Sequence, residues 1–190
     1  MILKRTVEPA AEPLSVSALK NHLRVDLSDD DELIAAYLEA ARDYVEKTTR
    51  RSLVTQTWRL SLDGWPACDE IILPRPPLQS VTSIVYYDSE GASNTLASSA
   101  YDVDIDSEPG RVVLKHGESW PSTTLRPMNP VQVTYVAGYG LAADVPSYLV
   151  HLIRLLVSHW YENREPVVVG SIVGNIPLAV DSLIWLNRSY

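Results

Sequence analysis

The sequence predicts an α+β protein in which N-terminal and C-terminal helices form a bundle and an antiparallel β-rich insertion lies between them. Three observations support this fold class. Apolar residues recur at helical spacing near both ends, strand-forming residues dominate from about 54 to 140, and turn-forming residues interrupt that middle region at short intervals. We expect a single domain over 1–190, with helices at about 14–51 and 145–190.

The N-terminal helical region contains two predicted helices. The stretch LSVSALKNHLRVD predicts a short helix that begins near Ser15 or Ser17, because a serine hydroxyl suits an N-cap. The longer stretch SDDDELIAAYLEAARDYVEKTTRRSL places its apolar residues on one helical face. Its charges suit the helix dipole at both ends. They are Asp29, Asp30, Asp31 and Glu32 at the start, and Lys47, Arg50 and Arg51 at the end.

The middle of the chain reads as short strands separated by turns. Candidate strands are TQTWRLSLD, EIILP, VTSIVYYD, YDVDID, RVVLK and VQVTYVAG, and the turns include DSEGAS and SEPGR. Their spacing favours an antiparallel meander over βαβ units. The proline-rich LPRPPLQSV is interpreted as a rigid bend between strands, with a polyproline ligand as the alternative.

Helix returns in VPSYLVHLIRLLVSHWYENRE. Pro146 suits a first turn, and a core stripe of Leu149, Leu152, Ile153, Leu156 and Trp160 runs until Pro166 ends the pattern. The stretch PVVVGSIVGN is predicted to be a loop or short extended piece. A last short helix in PLAVDSLIWLNRSY carries Leu183, Ile184 and Leu186.

Composition excludes several function classes. The chain has 46% hydrophobic and 21% charged residues, which is typical of a globular protein, and a net charge of -8, which disfavours direct binding to nucleic acid. The single cysteine, Cys68, predicts neither an intramolecular disulfide nor a zinc site and favours folding in a reducing cytosol. Without a signal-peptide pattern or an apolar run of ~18 residues, we expect a soluble protein with no membrane association and no export by that route.

The stretch SHWYENRE, residues 158–165, has the residue types of an active site. His159 and Glu162 lie one helical turn apart, with His151 two turns away, but two ligands do not complete a zinc site. The preferred interpretation is structural: Trp160 extends the apolar stripe, while the polar residues after it end the helix on its solvent-facing or partner-facing side.

Other motifs for catalysis or metal binding are incomplete. The chain lacks a Gly-x-Ser-x-Gly nucleophile elbow and a phosphate loop, and SDDDE lacks the central glycine of a calcium loop. Asp102, Asp104 and Asp106 alternate on one predicted strand face, where they would either bind a cation or, as we prefer, face solvent. The sequence therefore predicts no catalytic, cofactor-binding or metal-binding residue.

The order of segments carries more information than any single motif. Residues 19–66, followed by ILPRPPLQSVTSIVYYDSEG, VQVTYVAGYG and LLVSHWYENRE, resemble the head-tail connector (adaptor) family of long-tailed bacteriophages and related gene transfer agents. The resemblance runs from about Leu14 to Leu186. It consists of many segments of medium specificity in one order, and none of them is catalytic.

The resemblance implies a structural virion protein at the head-tail junction, assembled in the bacterial host cytoplasm. Family members form a ring, typically dodecameric, under the portal protein of the DNA-filled head, and give the tail or stopper protein its docking surface. The resemblance implies no enzyme activity and no cofactor. DNA would pass through the lumen without specific binding, and an acidic lumen would keep the duplex from adhering.

Within that interpretation, two regions are candidate partner interfaces. The first comprises charged ends of the long helix and the end of the 145–165 helix, and the second is the segment 166–190, which would order on docking. The residues of the first are Asp29, Asp30, Asp31, Arg50, Arg51, Trp160, Tyr161 and Arg164.

Three alternatives stay open at this point. One is a neighbouring ring component, such as a stopper or tail-completion protein. The second is a small hydrolase that uses His151 or His159 with nearby carboxylates, which the missing motifs disfavour. The third is a host-directed binding module built on the β insertion.

Overall fold

The computed structural model describes residues 1–163 and 178–189, with residues 178–181 described by backbone alone. The α-helices in this part are α1 (Val16–Leu23), α2 (Asp31–Thr49), α3 (Ser147–Glu162) and α4 (Leu178–Asn187). The strands are β1 (Ile2–Val7), β2 (Gln56–Leu62), β3 (Glu70–Ile72), β4 (Leu78–Tyr87), β5 (Ser93–Thr95), β6 (Tyr101–Asp104), β7 (Arg111–Leu114) and β8 (Val131–Ala137). The predicted α+β class, with helices on both sides of a β-rich region, is confirmed.

The chain divides into two compact units. The first, here called the β unit, combines Met1–Ala10 with Thr55–Tyr139, and the second, the helical unit, combines Ala11–Val54 with Gly140–Tyr190. The β unit contains a five-stranded sheet in the order β1-β2-β8-β4-β5 and a three-stranded sheet in the order β3-β7-β6. Every pair of neighbouring strands is antiparallel, as predicted.

The core of the β unit is built on β8, the middle strand of the larger sheet. Val131, Val133, Tyr135 and Ala137 are each 0% exposed, and the residues between them are half-buried. This alternation is the period-two pattern that the sequence showed, because successive side chains of a strand point to opposite faces. The Tyr135 hydroxyl donates a 2.7 Å hydrogen bond to the Pro74 carbonyl, and burial raises the pKa of this tyrosine.

The predicted meander is wrong. Strand β8 pairs with β2 on one side and with β4 on the other, so it separates two strands that precede it in the chain. Among the strands of the described residues, only the pairs β1-β2, β4-β5 and β6-β7 are neighbours in both sequence and space. Turn residues indicate where a strand ends but not which strand lies beside it. In this sheet the central position belongs to β8, whose buried and half-buried residues alternate without interruption.

Two strands were not predicted. β1 lies at the edge of the larger sheet and pairs with β2, with Leu3 opposite Leu60, and β5 pairs with the end of β4. Strand β1 carries Lys4 and Arg5, and charged side chains are a common feature of edge strands because they oppose further pairing. The N-terminal residues therefore belong to the β unit and not to a lead into the helices.

The helical unit follows the predicted pattern closely. Helix α1 begins at a cap in which Ser15 Oγ accepts a 3.1 Å hydrogen bond from the Ala18 amide. Asp31 and Glu32 lie in the first turn of α2 and Lys47 in its last turn, as the dipole argument predicted. The buried apolar residues of α1, α2 and α3 are Leu19, Ile34, Leu38, Ala41, Val45, Leu149, Leu152, Ile153, Leu156 and Val157.

Helix α4 packs against α2 and α3, and the end of the chain is tied to the end of α2. The amide of Ser189 donates a 2.9 Å hydrogen bond to the carbonyl of Thr49. Leu183 and Ile184 are half-buried and the last predicted helix is confirmed, whereas Leu186, which was grouped with them, is 80% exposed. The predicted loop PVVVGSIVGN and the Pro166 stop lie outside the described residues.

Candidate interface surfaces

Trp160 connects α3 to α2 through aromatic contacts. The centroid of its ring lies 6.3 Å from that of Tyr37 and 6.4 Å from that of Tyr44, with interplanar angles of 61° and 85°. Such edge-to-face contacts are favoured by the ring quadrupoles. Trp160 is half-buried, so its first role is packing within the helical unit, in agreement with the apolar stripe.

A second contact joins the start of α2 to the end of α3. The Tyr161 hydroxyl donates a 2.5 Å hydrogen bond to Asp30 Oδ2, and Lys20 Nζ lies 2.6 Å from Asp31 Oδ1. Asp30 precedes α2 and Tyr161 lies in the last turn of α3, so this bond joins the start of one helix to the end of the other. Asp29 is exposed beside this contact.

The opposite end of α2 is attached to α4. Arg51 Nε donates a 2.8 Å hydrogen bond to the carbonyl of Asn187, which is the last residue of α4. Arg50, the C-cap of α2, is exposed and has a φ of 57°, in the left-handed region. The guanidinium of Arg51 thus helps to hold the C-terminal helix, while that of Arg50 lies at the surface.

The predicted interface residues fall into two groups. Asp29, Asp30, Asp31, Trp160 and Tyr161 lie at one end of the α2/α3 pair, whereas Arg50 and Arg51 lie at the other end of α2. A helix of 19 residues is about 28 Å long, so the two groups cannot form one contact patch. Arg164 lies outside the described residues. Contact of these residues with a partner stays a prediction.

Sequence reasoning missed a buried charged cluster on α2. Arg42 and Glu46 are 3% and 2% exposed, and Arg42 Nε lies 2.9 Å from Glu12 Oε2. Glu46 Oε1 accepts a 2.8 Å hydrogen bond from the Leu53 amide. Burial raises the pKa of Glu12, and the positive charge of Arg42 opposes that shift. The cluster ties the segments before and after α2 to the helix, and the four-residue spacing of Arg42 and Glu46 was its visible signal.

Helix α4 presents an exposed apolar surface formed by Leu186, which the predicted helix included, and by Trp185, which the sequence pattern did not single out. Trp185 is 75% exposed and Leu186 is 80% exposed, whereas Leu183 and Ile184 on the same helix are half-buried. A tryptophan with this exposure leaves a large apolar area in water, and tryptophan is among the residues that contribute most to protein interfaces. This pair is here called the α4 patch.

The aspartates of YDVDID do not share one strand face. Strand β6 ends at Asp104, so Asp106 lies beyond it, and the prediction that all three alternate on one face is wrong. Asp104 accepts hydrogen bonds from the Ser107 hydroxyl at 2.7 Å and from Arg111 Nε at 3.0 Å. These bonds, that of the Ser107 hydroxyl first, lower the pKa of Asp104 to about 2. The carboxylate stabilises the β6-β7 turn.

The described residues contain no group of three or more His, Cys, Asp or Glu side chains that could hold a metal ion. His151 is exposed. The carbonyl of His159 caps the end of α3, where it accepts a 2.8 Å hydrogen bond from the Asn163 side chain. In residues 1–163 and 178–189, no helix is both long enough and apolar enough to cross a membrane.

Comparisons with known proteins agree with one another. Residues 13–108, just over half of the chain, match the family described as "Phage gp6-like head-tail connector protein". A chain in the neck of an empty gene transfer agent particle, computed with C6 symmetry, is 26% identical, with a TM-score of 0.81 over 100% of this chain and 96% of that one. No curated protein sequence gives a significant match.

Two further structures are similar over the same extent, 100% of this chain and 96% of each matched chain. One is a virion of a native gene transfer agent particle, with 26% identity and a TM-score of 0.82. The other is the neck of a native gene transfer agent particle computed with C12 symmetry, with 25% identity and a TM-score of 0.81. The likeness therefore extends over both the β unit and the helical unit.

Proposed function

This chain belongs to the phage gp6-like head-tail connector family, and we propose that it is the subunit of an adaptor ring that docks under the portal protein and provides the attachment surface for the tail or stopper. The coarser role follows from the family: it is a structural protein of the virion, located at the head-tail junction. Membership of the family does not by itself identify the ring, its partners or its docking surfaces, which are therefore part of the proposal.

The observation that carries the proposal is the extent of the structural likeness. All of this chain corresponds to chains of gene transfer agent necks at TM-scores above 0.8, so no additional domain in this chain needs a separate function. We propose a single connector domain over 1–190 and no enzyme activity. A ring of twelve subunits is proposed because it satisfies both the C12 and the C6 symmetry of the matched necks.

The partners proposed for the ring are the portal protein above it, the tail or stopper protein below it, and further copies of this chain. Packaged DNA passes through the lumen without specific binding. The charge of -8 supports this last point, because an acidic wall repels the phosphate backbone and keeps the duplex mobile.

The C-terminal segment is proposed to contact the portal protein through the α4 patch. Trp185 and Leu186 are 75% and 80% exposed, so most of their apolar surface does not take part in packing within the subunit. At the other end of α2, the predicted group of Asp29, Trp160 and Tyr161 is proposed to lie near a neighbouring protein. Trp160 and Tyr161 already hold α2 and α3 together, so they would shape that surface rather than reach across it.

The first test is electron microscopy of particles produced with the gene deleted, with the intact gene supplied in trans as control. The proposal expects heads and complete tails to accumulate apart, and the intact gene to restore joined particles. Labelling the protein in complete particles then distinguishes an adaptor next to the portal from a neighbouring stopper ring. Normally joined, infectious particles in the deletion strain would contradict a joining role.

The test of the α4 patch is the double variant W185A/L186A. Truncation of the C-terminal segment would also remove the hydrogen bonds that Arg51 and Thr49 make with it. Point substitutions keep these hydrogen bonds and therefore test the patch alone. We expect loss of binding to purified portal protein with unchanged helical content by circular dichroism. The control L27A/L141A changes two side chains that are 72% and 75% exposed elsewhere, and it should bind normally. Equal binding by all three proteins would rule out the patch.

A further inference from the structure

The β unit has a basic groove that none of the roles above uses. It is a concavity of about 650 Å³ on the outer face of the larger sheet. Its lining residues are Ile2 and Lys4 from β1, Arg59 and Ser61 from β2, Gln132 from β8, and Arg126, Pro127, Met128 and Asn129 from the loop before β8. Three cations thus converge on one surface of a chain whose net charge is -8.

Two of these cations face each other directly. Lys4 on β1 and Arg59 on β2 are register partners, so their side chains emerge side by side on the same face of the sheet. Like charges in this position destabilise a strand pair. Neither side chain has an ion pair or hydrogen bond with another residue in the described part of the chain, so no intramolecular anion offsets their repulsion.

The third cation is held in place by its own surroundings. The guanidinium of Arg126 lies 3.8 Å from the centroid of the Tyr87 ring, and its Nη2 donates a 2.9 Å hydrogen bond to the carbonyl of Asn129. Stacking of this kind pre-organises an arginine and reduces the entropy that it loses on binding a carboxylate. Ser61 and Gln132, neighbours across β2 and β8, add hydrogen-bonding groups to the same surface.

The chain also carries an exposed acidic surface of matching chemistry. At the start of α2, the carboxylates of Asp30 and Asp31 are bound by Tyr161 and Lys20. Asp29 and Glu32 are exposed, and within the described residues neither has an ion pair. Identical subunits of charge -8 repel each other on average, so local attraction between unlike patches favours contact between copies.

We propose that the basic groove of one subunit receives Asp29 and Glu32 of a second copy of this chain. Two different patches that bind each other make a heterologous contact, and such contacts generate closed rings when the rotation between copies closes. The inference rests on the proposed adaptor ring and names its subunit contact. It also explains why Lys4 and Arg59 are placed together without an intramolecular partner.

The experiment is a charge exchange in the gene-deletion strain, with joined particles counted by electron microscopy. The variants K4E/R59E and D29K/E32K should each lower the number of joined particles by more than about tenfold, because each opposes like charges in every subunit contact. The variant that carries all four substitutions restores opposite charges across the contact, with their positions exchanged. It should therefore restore joined particles.

The control K47E/K115E changes net charge as much as K4E/R59E at exposed sites outside the groove, and it should join heads to tails normally. Circular dichroism of each purified variant checks folding. Because lysines at the start of α2 oppose the helix dipole, D29N/E32Q provides a milder second test, and it too should reduce joining.

Separate outcomes overturn the contact and the proposed function. Normal joining by K4E/R59E, in a strain whose deletion abolishes joining, would overturn the contact and leave the adaptor role standing. Failure of the fourfold variant to improve on either double variant would exclude a second copy as the occupant. Duplex DNA binding by the unmodified protein that K4E/R59E abolishes would assign the groove to DNA instead. Joined particles in the deletion strain itself would contradict the adaptor role.

Discussion

At the scale of single residues, the aromatic residues in the described part of SHWYENRE, residues 158–163, serve packing. Trp160 fills the space between α2 and α3 beside Tyr37 and Tyr44, and Tyr161 anchors Asp30. His159 contributes its carbonyl to the helix end. Tryptophan and tyrosine, which are also common in catalytic sites, occur here because their rings pack in a small helical bundle while their polar groups reach its edge.

Replacing Trp160 should destabilise the helical unit. Replacing a fully buried tryptophan by alanine lowers the free energy of unfolding by about 3–5 kcal/mol. Because Trp160 is half-buried, we expect W160A to lower it by about 2 kcal/mol. Urea denaturation followed by far-ultraviolet circular dichroism measures the change. The control W160F keeps an aromatic ring near Tyr37 and Tyr44 and should lose less than half as much. A loss below about 0.5 kcal/mol, which is the usual scatter of surface substitutions, would contradict the packing role.

The Asp104 network should appear in a pH titration. The pKa of Asp104 is about 2 in the folded chain and 3.8 in its ordinary state, so the unfolded chain binds this proton first as pH falls. The stabilisation is fully present above pH 3.8 and is lost as pH falls through about 2. The variant D104N should lack this dependence.

Carboxyl carbon chemical shifts in nuclear magnetic resonance report the Asp104 pKa directly. In S107A and in R111Q the pKa should rise towards 3.8, because each change removes one donor to the carboxylate. The unaffected control is D88N, which alters a different turn. An unchanged Asp104 pKa in both variants would show that these hydrogen bonds do not cause the shift.

At the scale of elements, the β unit depends on close approach between chain segments that are distant in sequence. Gly110, in the turn between β6 and β7, accepts a 2.8 Å hydrogen bond from the Leu73 amide and lies against Leu78. The sequence predicted a turn at SEPGR, but the structure shows that the glycine of this turn is required because it packs against Leu78. A Cβ at this position would lie 2.5 Å from the Cβ of Leu78.

The variant G110A should therefore destabilise the β unit, by about 1–3 kcal/mol, the range for overpacked sites. The matched control is G64A, because a Cβ at Gly64 meets no atom within 4 Å and the backbone there is not left-handed. G64A should be neutral or slightly stabilising. Thermal unfolding followed by tryptophan fluorescence compares the two, and similar melting temperatures would refute the steric argument.

At the scale of the whole molecule, charge is the property that most constrains the role. The chain has a net charge of -8, yet its cations are not spread evenly, since Lys4, Arg59 and Arg126 share one groove. The proposed contact between copies uses this local exception to the average charge. The same average charge is compatible with the proposed passage of DNA, because an acidic wall would repel the duplex.

The purified chain should not bind duplex DNA at physiological ionic strength. Binding of a duplex relies on neutralising several phosphates, and the net charge opposes this step. Fluorescence anisotropy of a labelled duplex, titrated with the chain, should show no saturable increase. A histone-like basic protein serves as the positive control. Saturable binding that weakens with added salt would contradict the prediction of a non-binding lumen.

Sequence periodicity by itself determined the helices and six of the strands. Those features depend on neighbours a few residues away: the Ser15 cap, the buried face of α2 and the alternation of β8 are visible in local spacing. The resemblance of ordered segments also placed the chain in the correct family, since the family match and the neck structures agree with it.

Only the tertiary structure decided which distant segments meet. The pairing of β8 with both β2 and β4, the joining of β1 to β2, the burial of Arg42 beside Glu12 and the exposure of Trp185 all depend on residues far apart in sequence. Local spacing predicts which face of an element is apolar, but the partner of that face is chosen by the packing of the whole unit. The basic groove exists for the same reason, because β1, β2 and the loop before β8 become neighbours only after folding.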